Sequence, residues 1–106
     1  MIEEVLNQRQ ATYGDFTKNA EVSQMMKYFM AQGTNYKQMP VAHREALEMI
    51  VHKIARIVNG DSYFIDSWKD ICGYSQLVIN ELLLTEGATD SVIIKKEISN
   101  RGDYIL

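Results

Sequence analysis

Residues 44–60 carry the clearest periodicity in the chain and read REALEMIVHKIARIVNG. Apolar side chains recur there at steps of three and four residues, the spacing that places them along one side of an α-helix. Pro40 suits the first turn of such a helix, because its missing N–H costs nothing there, and Gly60 suits the end of the helix. The stretch therefore predicts a two-faced helix over about 40–59.

Similar periodicity on either side predicts three more helices, over about 2–11, 16–32 and 64–85. Few stretches alternate with period two, so the sequence predicts an all-α protein, with four main helices in a bundle. We expect Val5 and Leu6 to point inward from the first helix. The two long helices are expected to pack antiparallel around a common core. The residues expected in that core are Leu47, Ile50, Ile54, Ile71, Val78 and Leu82.

The C-terminal part of the chain is harder to interpret. Residues 88–106 contain the run Val92-Ile93-Ile94, which suits a strand, and a stretch from Ser91 to Ser99 that suits a short helix. Both alternatives stay open. We expect a helical domain over 1–87 and an extension over 88–106 whose apolar end serves as an oligomerisation arm, so the chain is expected to form a homo-oligomer.

Composition excludes several classes of protein. The 106 residues are 46% hydrophobic and 24% charged, which is ordinary for one soluble domain. Eleven Lys and Arg stand against 14 Asp and Glu, so the net charge of −3 gives no strong nucleic-acid signal. Cys72 is the single cysteine, which excludes an intramolecular disulfide. With an acidic N-terminus and no long apolar run, we expect a cytoplasmic protein with no membrane partner.

Paired carboxylates on the two long helices are the first candidates for chemistry. Glu45 and Glu48 are three residues apart, and Asp66 and Asp70 are four apart, so each pair shares one face of its helix. Four carboxylates on neighbouring helices suit Mg²⁺, which prefers oxygen ligands and binds nucleotide phosphates. The alternative is a solvated surface, which is the usual role of charged helix faces.

A second candidate is the turn that follows the first helix. Arg9, Tyr13 and Asp15 lie close together in the sequence, beside Gly14. In one interpretation the turn covers a ligand that lies on the long helices. In the other it is a simple corner in which the Asp15 carboxylate caps the second helix. The residues alone leave both alternatives open.

Three stretches together resemble a family of small phage and prophage proteins of unknown function. They are residues 44–60, residues 66–74, which read DSWKDICGY, and Arg9 followed by residues 12–16, which read TYGDF. The helical pattern is also more remotely similar to the MazG-like, all-α nucleoside triphosphate pyrophosphohydrolases. In those enzymes one helix carries Glu-x-x-Glu and the next carries Glu-x-x-Asp, and both motifs bind Mg²⁺.

This resemblance implies roles for particular residues. Glu45 and Glu48 match the first motif and are the expected catalytic residues. Asp66 and Asp70 match the second motif imperfectly, with four-residue spacing and no Glu, and would complete the site for Mg²⁺ or Mn²⁺. The expected substrate-binding residues are Arg9, Tyr13, Asp15, Lys53, Arg56 and Trp68.

The expected function follows from the same resemblance. It is Mg²⁺-dependent hydrolysis of a nucleoside triphosphate to the monophosphate and pyrophosphate, or nucleotide binding by a protein derived from such an enzyme, in the cytoplasm of a bacterial host. The alternative is a non-enzymatic phage protein that binds a host protein or sequesters a nucleotide signal.

Overall fold

A computed structural model describes residues 1–86 and shows an all-α protein, as predicted. No strand occurs within these residues. The four α-helices are α1 (Ile2–Tyr13), α2 (Phe16–Met30), α3 (Val41–Asn59) and α4 (Ile65–Glu86), with a short 3₁₀ helix at Tyr36–Gln38 between α2 and α3. None of the helices in this part of the chain is long and apolar enough to cross a membrane. The predictions for 88–106 lie outside the described residues.

Local side-chain chemistry explains where the helices begin and end. The Asp15 carboxylate accepts a hydrogen bond from the backbone N–H of Lys18 at 3.0 Å and so caps α2. Pro40 directly precedes α3, which begins one residue later than predicted, and Gly60 directly follows the helix, as predicted. The end of α2 differs from the prediction. The helix stops at Met30, two residues before the predicted end.

The chain forms two units, Met1–Ser75 and Gln76–Leu106, and the boundary between them falls within α4. In the first unit the most extensive helix contact joins α2 and α3, and α1 makes a smaller contact with α3. In the second unit the described residues are the end of α4, where the side chain of Gln76 donates a hydrogen bond to that of Asn80 at 2.7 Å. The expected domain boundary after residue 87 stays a prediction.

Small side chains make up the buried core of the described chain. The buried apolar residues all belong to α3 and are Ala46, Val51, Ala55 and Ile57. Asn19 and Ser23 of α2 are also buried, so the contact between α2 and α3 includes polar groups. No large side chain in residues 1–86 is fully buried. The core formed within residues 1–86 is therefore small for a domain of this size.

Several residues predicted to be inside are exposed. Leu47 is 40% exposed and Leu82 is 42% exposed, and Val5 and Leu6 of α1 also face solvent. The other expected core residues, Ile50, Ile54, Ile71 and Val78, are half-buried. The prediction was wrong for Leu47 because Val51 and Ala55, the most deeply buried residues of α3, lie at one side of its apolar face, whereas Leu47 lies nearer the middle of that face.

Candidate functional site

The corner between α1 and α2 packs directly on the end of α3. Gly14 has φ of +85°, a conformation that residues with a side chain rarely adopt, and a Cβ atom there would collide with the backbone of Asn59. A Cβ atom on Gly60 would lie 2.5 Å from the carbonyl oxygen of Thr12. The backbone N–H of Asp61 donates to that same oxygen at 2.8 Å. The two glycines therefore let two backbones meet without an intervening side chain.

Two asparagines fix this corner. The side-chain amide of Asn19 donates to the carbonyl oxygen of Tyr13 at 2.7 Å, and its own oxygen accepts from the side-chain amide of Asn59 at 2.9 Å. Asn19 is only 7% exposed, so both bonds are shielded from water. A single side chain thus links the end of α1, the first turns of α2 and the last residue of α3.

The result of this packing is a fixed position for the Tyr13 ring. The ring of Phe64 meets it edge to face, with centroids 5.6 Å apart. Two guanidinium groups also contact it. The Cζ atom of Arg56 lies 4.3 Å from the ring centroid and that of Arg9 lies 5.1 Å from it. Neither arginine forms an ion pair within residues 1–86.

A groove of about 460 Å³ opens beside the Tyr13 ring. Residues of α1, α2 and α3 line it, together with the α1–α2 turn. Its charged residues are Arg9, Lys27, Arg56 and Asp15. Three of these are basic and one is acidic, so the groove is positive although the whole chain carries a net charge of −3.

The pKa of His52 reflects its burial and the positive charge of this region. His52 lines the groove from α3. Burial lowers the pKa of His52 below the usual value of a histidine, and the nearby charges of Arg56, Lys53 and Lys27 lower it further. The imidazole is therefore neutral at pH 7 and can accept a hydrogen bond from a ligand.

The structure gathers some of the predicted ligand-binding residues and separates others. Arg9, Tyr13, Asp15 and Arg56 all line the groove. Trp68 does not line it, and its indole N–H donates to the carbonyl oxygen of Ser62 at 2.8 Å, which holds the turn before α4. Lys53 is also outside the groove lining.

None of the four predicted metal ligands lines this groove. The carboxylate of Asp70 pairs with the ammonium group of Lys53 at 3.0 Å, and that of Glu48 lies 3.8 Å from Lys27. Glu45 and Asp66 are exposed. Within residues 1–86 no group of three or more His, Cys, Asp or Glu side chains is placed to hold a metal ion. Among the described residues these carboxylates are therefore not gathered into one site, and the roles assigned to them stay predictions.

Lys27 is a groove residue that the sequence reasoning missed. It follows Asn19 and Ser23 at intervals of four residues, so the three form a polar row along one side of α2. A polar row of this kind is a usable signal. The nearby Phe16 also lines the groove, with 80% of its surface exposed.

The fold and the site define a small all-α protein with a positively charged, aromatic-lined groove. Residues 2–81 match the family described as "Domain of unknown function (DUF6378)", and the chain belongs to that family. This confirms the prediction of a family of unknown function. No curated protein and no solved structure matches the chain. The phage origin and the similarity to MazG-like enzymes stay predictions.

Proposed function

We propose that the protein binds a nucleotide through its phosphate groups in the groove between α1, α2 and α3. One observation carries the proposal. Arg9 and Arg56 both contact the ring of Tyr13, and neither has an ion-pair partner among residues 1–86. Two like charges held beside one ring repel each other. An anion bound between the two guanidinium groups would be attracted to both and would offset that repulsion.

The chemistry of the two arginines suits phosphate. A guanidinium group presents several N–H donors in a plane, which match phosphate oxygens in pairs. Lys27 is a third cation of the groove, although Glu48 partly neutralises it at 3.8 Å. The neutral His52 adds a further hydrogen-bonding group. Phosphate is a better fit than a single carboxylate, because it offers oxygens to all of these groups at once.

The rest of the groove suits the base and sugar of a nucleotide. Its volume of about 460 Å³ lies within the usual range of small-molecule sites. The exposed ring of Phe16 offers a surface on which a base can stack. The amide side chains of Gln10 and Gln24, which also line the groove, can donate to and accept from polar atoms of a base or a ribose.

Binding of the nucleotide is proposed here without its hydrolysis. The resemblance to pyrophosphohydrolases implies Mg²⁺, but Glu48 and Asp70 are engaged with lysines, and the described residues gather no metal-binding cluster. Binding without turnover corresponds to a protein that sequesters a nucleotide.

Calorimetric titration with ATP, ADP and inorganic phosphate, in a metal-free buffer, tests the proposal. We expect Arg56→Gln to weaken nucleotide binding by about 10- to 100-fold, the usual contribution of a hydrogen bond between charged groups. Arg44→Gln is the matched control. It makes the same change of charge at an arginine that lies over another ring, that of Tyr36, at 5.7 Å, and it is outside the groove lining.

Two results would refute the proposal. One is the absence of binding by all three probes at millimolar concentration, and the other is an equal loss of affinity in both arginine variants. A parallel assay for pyrophosphate release with Mg²⁺ examines hydrolysis separately. Release that is lost in Glu48→Gln would restore the enzymatic prediction without changing the binding site.

A further inference from the structure

The two helices at the centre of the fold have a second face, on the side opposite to the groove. On α2, the groove residues Gln24 and Lys27 lie on one side of the buried row of Asn19 and Ser23. At 100° per residue, Phe29 falls on the other side of that row. Phe29 is 67% exposed.

The same geometry holds for α3. His52 and Arg56 face the groove on one side of the buried pair Val51 and Ala55. Leu47, Ile54 and Val58 project to the other side. We name the set formed by Phe29 together with Met25 of α2 and these three residues of α3 the back face. Val58 is 64% exposed, and every member of the back face is apolar.

The back-face residues of α3 lie in the middle of the apolar side of that helix, which is where the core of a helical protein usually forms. In residues 1–86 the buried apolar side chains are small or medium in size and lie at the two edges of that side. A chain of this length needs a larger buried core to offset its conformational entropy. The described residues alone therefore leave an apolar surface that needs a cover.

We propose that a second copy of this chain covers the back face, so that α2 and α3 of two protomers form a four-helix core. A cover required for folding must be present whenever the chain is made, and a second copy of the chain meets that condition. A patch with no charged side chain also suits a two-fold interface, in which each patch meets its own image and like charges would face one another.

The exposed apolar area of the back face is of the right size for the centre of an interface between two copies. At about 200 Å² for a fully exposed large side chain, the back face presents roughly 500 Å² of apolar side-chain surface per protomer. A stable interface buries about 800 Å² per partner. Backbone and polar atoms at the rim supply the rest in ordinary interfaces, so the back face can form the apolar centre of one.

Sedimentation equilibrium of the full chain over a range of concentrations tests the proposal. We expect twice the 12.2 kDa of one chain. Phe29→Ala should raise the dissociation constant by at least about tenfold, as truncation of a central interface residue does. Tyr63→Ala is the control, since it removes an aromatic ring that is exposed but lies in the turn before α4.

Folding is followed alongside mass. If the dimer and the fold are coupled, the melting temperature of the wild type rises with protein concentration, and Phe29→Ala lowers it more than Tyr63→Ala does. This readout remains decisive if the Phe29 variant unfolds on dilution. A wild type that sediments at the mass of one chain overturns the proposal. So does an oligomer whose mass and melting temperature respond equally to the two variants.

Discussion

Replacing Asn19 by alanine removes the two hydrogen bonds that hold the corner. Its amide donates to the Tyr13 carbonyl at 2.7 Å, and its oxygen accepts from Asn59 at 2.9 Å. Each bond contributes about 1 kcal/mol net, and a stranded, shielded carbonyl costs about 1 kcal/mol or more in addition. We therefore expect Asn19→Ala to lower the free energy of unfolding by about 2–4 kcal/mol, a large share of what a small domain possesses.

Urea unfolding at one fixed protein concentration measures this change. Gln76→Ala is the control, because Gln76 also donates a side-chain hydrogen bond of 2.7 Å, to Asn80, but at an exposed site. Water replaces that bond at little cost, so its loss should change the free energy of unfolding by about 0.5 kcal/mol or less. Asn19→Asp adds a second comparison, since it keeps the acceptor for Asn59 but points a carboxylate at the Tyr13 carbonyl.

A similar, small effect of Asn19→Ala and Gln76→Ala would refute the reasoning. It would mean that water reaches the corner freely and that the packing of α1 does not depend on Asn19. Asn19→Asp is expected to be at least as destabilising as Asn19→Ala at neutral pH, because a carboxylate cannot donate and is costly to bury. A more stable aspartate variant would show that the hydrogen bond from the Asn19 amide to the Tyr13 carbonyl oxygen contributes nothing to stability.

Two further predictions concern the end of α3 and the groove. Gly60→Ala should destabilise the protein by about 1–3 kcal/mol, because its Cβ would lie 2.5 Å from the Thr12 carbonyl oxygen. Gly73→Ala, whose Cβ meets no atom within 4 Å, should stabilise α4 by up to about 1 kcal/mol, and equal effects in urea unfolding would contradict both. The folded protein lowers the pKa of His52, so the unfolded chain binds more protons below about pH 6.5, and stability should fall as pH drops through that region. Between about pH 7.5 and about pH 5.5, His52→Gln should lose less stability than the wild type. The urea midpoint of each protein is measured at both pH values, and midpoints that are the same in the two proteins at each pH would exclude the effect.

The positions of the helices could be predicted from the sequence because helix formation depends on local patterns. The limits of α3 follow from Pro40 and Gly60, and the start of α2 follows from Asp15. The buried faces could not be predicted as well, because burial depends on which neighbour each helix meets. Phe29 illustrates this. It lies among apolar residues at helical spacing, but the face of α2 that packs on α3 carries Asn19 and Ser23.

The candidate site was predicted only in part, for a related reason. Arg9, Tyr13 and Asp15 are close in the sequence, so their proximity in space is no surprise. Arg56 joins them only because the end of α3 reaches the α1–α2 corner, a contact that depends on two glycines far apart in the chain. Lys53, three residues before Arg56, points away from the groove and pairs with Asp70. The choice between two cations on one helix requires knowledge of the packing between helices.

The contact between Gly14 and Gly60 offers a way to examine other sequences of this family. A Cβ atom at Gly14 would collide with the backbone of Asn59, and one at Gly60 would collide with the backbone of residues 12–14, so neither position accepts a side chain while this contact is kept. A sequence that has lost one of them should show altered residues at both ends of the contact, or lack the α1 segment altogether. We therefore expect the glycine pair to separate family members that hold α1 against α3 from members in which the corner, and with it the arrangement of Arg9 and Arg56, has been rebuilt.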